Sequence, residues 1–332
     1  MTANAARLTL GPVLFNWPAE HWRDFYFRIA DEAPVDIVYL GEVVCSKRQP
    51  FFDPHLPAVI ERLQRAGKAV RLSTLALVMN RREQQAIHAL VRDLHQADET
   101  TTGPLLQESA LTVEVNDLSA LMALREPVAA GTFCAGPFLN IYNEASLQFL
   151  ADLGIHHCSL PPELPRTALE ALGAAAAAQQ QSLEVYVHGR VPLALSARCY
   201  HARVHGLDKV NCQFVCDQDP DGLAVRTLDD EDFLTVNGIQ TLSHGCLNLI
   251  DLLPDLQQLG ISHFRISPQS RGTMTALSAA AGVLTGKLSP GAALETMQAD
   301  SLTAPYCNGF YHGLEGARWV SAEPVRLGGG PL

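Results

Sequence analysis

The sequence predicts an α/β protein built as a (β/α)8, TIM-barrel-like fold with an insertion after its seventh strand. Short apolar runs alternate with helix-patterned segments along most of the chain, which argues for parallel strands joined by crossover helices. The alternation counts to eight units, the number that closes a barrel. No G-x-G-x-x-G follows the first strand, which weakens the dinucleotide-binding version of the open-sheet alternative. The whole chain, 1–332, is read as a single barrel-like domain, long for one domain but within reach of a barrel with an insertion.

The elements are read in order. A first strand is expected over 8–15, followed by a helix over 17–31 with Trp22, Phe25 and Ile29 on one side and Pro18 at its start. The β-branched run VDIVYL (35–40) is the second strand, and GEVVCSKR follows it as a loop with Cys45 just past the strand's C-terminal end. A helix over 55–66, closed by Gly67, leads to a third strand at 68–75 and a helix at 81–95. The fourth strand is placed at 111–115, with a helix from Asp117 that ends before Pro127, and the fifth at 128–134, before the loop AGPFLNIYN. A helix at 145–153 precedes the sixth strand at 155–160, which Pro161 and Pro162 stop. The Ala-rich stretch 166–181 is helical by propensity, strand seven is placed at 183–187 ahead of a turn at Gly189, and strand eight (263–267) follows a helix at 249–259. Helices at 273–285 and 292–299 complete the chain before APYCNGFYHG.

Between strands seven and eight, residues 191–243 break the pattern. This insertion contains the turn-rich DQDPDG and an Asn237-Gly238 pair flanked by strand residues, a strong hairpin signal. An insertion after a barrel strand lies on the C-terminal face, where active sites are built.

Composition narrows the function. Hydrophobic residues make up 47% and charged ones 18%, with a net charge of −11 and no long basic run, which disfavours a nucleic-acid partner. The N-terminal stretch has neither the apolar core nor the cleavage site of a signal peptide, and no apolar run is long enough to span a bilayer, so a cytoplasmic protein is expected. In that reducing compartment the eight cysteines read as metal ligands where clustered and as small buried hydrophobes where scattered.

Cys199, Cys212 and Cys216 form C-x12-C-x3-C inside the insertion, with Arg198, Arg203 and Lys209 among them. Thiolates this close suit a soft metal or an iron–sulfur cluster, but the pattern is one ligand short of four. Cys45, Cys134 and Cys158 all fall at predicted strand ends on the same rim, so position alone leaves the fourth ligand open.

The segments EVYVHGRVPLALSARC, KVNCQFVC and HGCLNLIDLLPDLQQLGISHFRIS, with YLGEVVCSKR, GPFLNIYN and NGFYHG, run in order over roughly 8–320 and resemble the collagenase-type peptidase (U32) family. The resemblance implies a barrel carrying a [4Fe–4S] cluster on Cys45, Cys199, Cys212 and Cys216, which leaves Cys134 and Cys158 outside. It further implies a heterodimer with a sister protein of the family and cooperation with a lipid-carrier-like protein. The joint reaction it implies is oxygen-independent hydroxylation of a polyprenyl-phenol ring in ubiquinone biosynthesis, with prephenate as oxygen donor. Electron transfer is the role preferred for the cluster, because four cysteines leave no open iron. The chain departs from the wider family at Pro192, where a cysteine is usual after the HG, and at Ser267-Pro268, where Glu-Gly is usual. There is no G-x-S-x-G or H-E-x-x-H and no defensible Ser/His/Asp set, so peptidase chemistry is not expected. Two alternatives stand beside this reading: a zinc- or cluster-stapled partner without redox role, and an RNA-modification factor of the same family, which the net charge disfavours.

Other residues carry weaker expectations. His188, at the end of strand seven, reaches a substrate at the barrel mouth or is a hydrogen-bonded structural residue. Glu42 supports Cys45 or is a solvated loop carboxylate. Asn140, Tyr142 and Asn143 line a pocket for an aromatic acid. Arg190 and Arg198 pair with carboxylates or offset thiolate charge. Cys134, Cys158, Cys246 and Cys307 are read as core.

Overall fold

The computed structural model describes residues 5–100, 111–123, 133–299 and 304–321. Eight parallel strands close into a barrel: β1 (Arg7–Leu10), β2 (Ile37–Leu40), β3 (Ala69–Ser73), β4 (Thr112–Val115), β5 (Phe133–Ala135), β6 (His157–Ser159), β7 (Ser182–Leu195) and β11 (His263–Ile266). The ring is complete because β11 pairs with both β1 and β7. The predicted stretch 128–132 of the fifth strand lies outside the described residues.

The crossover helices are α1 (Ala19–Glu32), α3 (Leu56–Arg65), α4 (Arg81–Thr100), α5 (Leu118–Ala123), α6 (Glu144–Asp152), α7 (Arg166–Ala178), α9 (Leu253–Gln258) and α10 (Thr273–Leu284); α2 (Gln49–Phe52) is a short extra turn and α11 (Pro290–Ala299) follows. They hold their apolar stripes against the outside of the barrel. In α1 that stripe is Trp22, Tyr26, Ile29 and Ala30 at helical spacing. Tyr26 takes the fully buried place where the sequence suggested Phe25, because its hydroxyl accepts from Val13 N at 3.0 Å and so satisfies a buried donor. Gly173 of α7 has a packing reason: a Cβ there would collide with the Leu259 carbonyl at the end of α9.

The interior of the barrel is polar. Arg265, 1% exposed, donates from Nε to Glu184 Oε1 at 3.0 Å, and from Nη2 to Glu184 Oε2 at 3.1 Å, to Ser159 Oγ at 3.0 Å and to Glu114. Tyr39 and Ser159 each donate to Glu184 Oε2 at 2.6 Å. Burial alone would raise the Glu184 carboxyl, but Arg265 and His157 outweigh it and hold it well below its ordinary range. Charges this deep persist only when fully paired.

Strand β7 corrects the expected turn at Gly189. It runs on for 14 residues and leaves the barrel to pair antiparallel with β10 (Gln240–Asn248). Gly189 (φ +125) lets the strand bend there rather than end, since a Cβ would lie 2.6 Å from Ser267 Cβ. The segment between these long strands contains α8 (Tyr200–Val204), β8 (Leu223–Arg226) and β9 (Asp232–Asn237); β9 and β10 form the expected antiparallel hairpin, but its turn is Gly238–Ile239, with Asn237 the last strand residue, paired with Gln240. A last short strand, β12 (Tyr306–Cys307), pairs with β10. Among the described residues no helix is long and apolar enough to cross a membrane.

Candidate metal centre

Three separate stretches bring Cys45, Cys199, Cys212 and Cys216 to one cavity, which Lys47, Arg48, His201, Lys209 and Phe214 also line. The first stretch follows β2. Gly41 (φ +116) turns the chain where a Cβ would lie 2.6 Å from Ser73 O. Glu42 then folds its carboxylate inward, and Oε1 accepts from Val44 N and Cys45 N, both at 2.8 Å. Glu42 is therefore buried and shapes the loop that presents Cys45, not a solvated carboxylate; burial raises its pKa and Arg48 draws it back.

Cys199 caps the N-terminus of α8, its Sγ accepting from Ala202 N at 3.4 Å. Cys212 and Cys216 flank Gln213 and Phe214, two consecutive non-glycine residues in the left-handed region (φ +49 and +56), which coil the chain tightly between the two thiols. Strain of this kind persists where surrounding contacts fix it, and here Lys47 does so: Nζ donates to Lys209 O at 2.9 Å, to Val210 O at 2.8 Å and to Cys212 Sγ at 3.5 Å. Asn16, from the loop after β1, donates Nδ2 to Cys216 Sγ at 3.4 Å.

Donors thus reach the sulfurs of Cys199, Cys212 and Cys216. Burial raises the free thiols of Cys45 and Cys216, while Arg48 pulls both toward the thiolate. Arg48 itself is 1% exposed, and its Nε has no hydrogen-bond partner. An unpartnered buried donor at a thiol-lined cavity fits an anionic group there.

Among the described residues, the only three or more His, Cys, Asp or Glu ligand atoms gathered within 4.8 Å of one another are those of His201, His205 and Asp219. No three of the four sulfurs come that close. Four thiols lining one cavity can hold a soft metal ion or a thiolate-bound cluster. His201 Nε2 and Asp219 Oδ2 meet at 2.9 Å beside the cavity.

The other cysteines lie elsewhere. Cys134 faces the barrel interior beside Tyr39 and Arg71, and Cys158 packs in the apolar core near Gln181, so neither points to the rim where the sequence had placed both. Cys246 and Cys307 are buried, as expected. His188 is buried with Nε2 3.6 Å from Cys246 Sγ. Arg190 Nη1 donates to the carbonyls of Ser243 (3.0 Å) and His244 where β10 bulges, and Arg198 is exposed. The pocket expected at Asn140, Tyr142 and Asn143 does not form among them. Asn143 caps α6 by accepting from Ser146 N at 2.9 Å, Tyr142 bonds Glu163, and Asn140 is a left-handed residue after a 3-10 turn. Asn16, Lys47, Arg48 and Asn237 were missed as site residues: Lys47 and Arg48 stood in the GEVVCSKR motif, and Asn237 was read only as a turn former.

Comparison with known proteins gives a family and little else. The family described as peptidase family U32 matches residues 22–283. A solved protein assigned as a fructose-1,6-biphosphate aldolase from Coccidioides immitis is 12% identical, with a TM-score of 0.40, over 89% of this chain and 86% of that one. An enolase assigned as a galactarate dehydratase from Agrobacterium radiobacter, bound to Na and L-malate, is 12% identical with a TM-score of 0.33, over 55% of this chain and 45% of that one. Both likenesses are too weak to bear on fold or function.

Proposed function

The chain belongs to peptidase family U32, and on that premise we propose that it is a UbiV-type member, the [4Fe–4S] subunit of an oxygen-independent ring-hydroxylating system of ubiquinone biosynthesis in the cytoplasm. In this reading Cys45, Cys199, Cys212 and Cys216 hold the cluster. A UbiU-like sister chain completes the heterodimer, a UbiT-like carrier presents the polyprenyl-phenol, and prephenate supplies the oxygen.

The observation that carries the reading is the meeting of these four cysteines, from three distant stretches, in one cavity furnished with N–H donors to sulfur. Four thiolates suit a cubane cluster, which supplies one-electron transfer when bound. The chain's own residues do the rest: Glu42 sets the Cys45 loop, Lys47 ties it to the Cys212 segment, and Lys47, Arg48 and Lys209 offset thiolate charge.

Anaerobic co-expression with the sister chain, followed by iron, sulfide and zinc analysis, tests this directly. Brown protein with iron and sulfide that Cys45→Ala, Cys199→Ala, Cys212→Ala and Cys216→Ala each abolish is expected. Colourless protein with stoichiometric zinc would replace the reading by a structural staple, and a Cys45→Ala protein that kept its visible absorbance would remove Cys45 from the ligand set. Electron transfer is rejected if a redox titration finds no accessible couple while hydroxylation continues.

A further inference from the structure

We propose that Arg48 is a positioning residue dedicated to charge: its buried guanidinium offsets the negative charge of the four-cysteine centre and holds its reduction potential up. The inference rests on the cluster reading above and adds a role for a residue that ligates nothing.

Arg48 is among the largest fully buried side chains in the protein. A buried guanidinium costs several kcal/mol of lost hydration unless an anion compensates it. Among the described residues, no carboxylate oxygen forms an ion pair with it. Nη1 donates to Leu14 O at 3.0 Å and Nη2 to Asn237 Oδ1 at 2.9 Å, both neutral acceptors, and the guanidinium also reaches the Cys216 thiol. Glu42 is the acid that faces it, but Oε1 of that carboxylate is engaged with two backbone N–H groups. The thiols of Cys45 and Cys216 stand beside the guanidinium, and Nε remains without a partner. Glu42 supplies one buried countercharge, and the thiols of Cys45 and Cys216, which line the same cavity, are the other groups that can carry negative charge beside it.

The surroundings are shaped for this one side chain. Asn237 is fully buried at the end of β9, and Gly238, in the turn that follows, leaves the space that Nη2 occupies, where a Cβ would come within 2.6 Å. Lys47 and Lys209 also line the cavity, but they are partly exposed, and water screens their charge. Net charge and hydrogen bonds to sulfur are among the terms that set cluster potentials. Adding one electron makes a four-thiolate centre one unit more negative, so a fixed, desolvated cation beside it favours the reduced state.

The test is a mediated anaerobic redox titration of the heterodimer carrying wild-type chain, Arg48→Gln or Arg48→Lys, with iron and sulfide measured first. In Arg48→Gln with full iron, the reduced-to-oxidised ratio at a fixed potential is expected to fall about tenfold, which is ~59 mV for a one-electron couple. Arg48→Lys, which keeps the charge, should stay within about twofold of wild type, about a third of that shift in millivolts. If Arg48→Gln holds no iron while Arg48→Lys does, the charge acts in assembly rather than on the potential, and the proposed role in setting the potential is overturned. An unchanged ratio in fully loaded Arg48→Gln, an equal shift in both variants, or folded variants that both lack iron would each overturn it in favour of a purely structural arginine. Wild type without iron and sulfide would refute the cluster reading itself.

Discussion

His188 Nε2 lies 3.6 Å from Cys246 Sγ, a thiol–imidazole contact on the ladder where β7 leaves the barrel. A Cys–His pair acts as a nucleophile only when the proton has moved, leaving thiolate and imidazolium. Here burial pushes the Cys246 thiol up to about 12 and His188 down to about 4, so both are neutral throughout the physiological range.

Inert thiols should follow. In protein prepared anaerobically with chelator, iodoacetamide at mildly alkaline pH is expected to label the partly buried Cys45, Cys199 and Cys212 while Cys134, Cys158, Cys246 and Cys307 remain unmodified in the folded protein. Peptide mapping by mass spectrometry reads this out. Rapid labelling of Cys246 together with a peptidase activity lost on labelling would show that the contact is a working dyad.

The same histidine makes the fold acid-sensitive. Its pKa is lowered on folding, from about 6.5 to about 4, so between those values the unfolded chain binds a proton that the folded one does not. Stability is therefore constant above about pH 6.5 and falls as the pH drops toward 4. At pH 5 the His188 contribution is about 2 kcal/mol. His263 is lowered to about 4, and His157 well below 6.5, in both cases chiefly by burial, so they act in the same direction. Urea midpoints between pH 7.5 and 5 should decline for wild type and decline by about 2 kcal/mol less for His188→Gln. Parallel profiles would mean that His188 is solvated and titrates normally.

The interior ion network makes a harder demand. Replacing Arg265 by Met leaves Glu114 and Glu184, 1% and 0% exposed, without their cation. Removing one partner of a buried pair costs about 3–5 kcal/mol. Arg265→Met should lower the denaturation midpoint by that amount or fail to fold, and adding Glu114→Gln and Glu184→Gln should recover part of the loss. A single Arg265→Met with wild-type stability would mean that the ion network contributes nothing net to the fold.

The eight-strand alternation was legible because each barrel strand is a short apolar run between helix patterns, and such patterning survives into the fold. Strand β7 was misjudged at Gly189 because a lone glycine signals a turn in sequence, whereas here it permits a bend against Ser267 within a continuing strand. The cysteine cavity was legible only in its four cysteines. Three fell in one motif, and the fourth came by resemblance, since Cys134 and Cys158 sit at comparable strand positions but alternate onto the interior or the outer core. Arg48 and Asn237 could not be paired from sequence. They are 189 residues apart, and neither their types nor their spacing carries a signal until the hairpin is laid across the mouth of the barrel.

That hairpin gives the last prediction. Gly238 has φ +64, which Asn and Asp tolerate, so backbone conformation alone does not require glycine. The requirement is space: a Cβ there would lie 2.6 Å from Arg48 Nη2 and 3.9 Å from Val44 Cγ1. Gly238→Ala should therefore cost the ~1 kcal/mol or more expected for alanine at positive φ and, beyond that, displace Arg48 from Asn237. Asn237→Ala removes the same anchor without adding bulk. If the Arg48 contact matters to the centre, both variants should shift its reduction potential in the direction of Arg48→Gln, with Gly238→Ala also losing thermal stability. A Gly238→Ala protein destabilised by that amount but with an unshifted potential would confine the role of Gly238 to the turn.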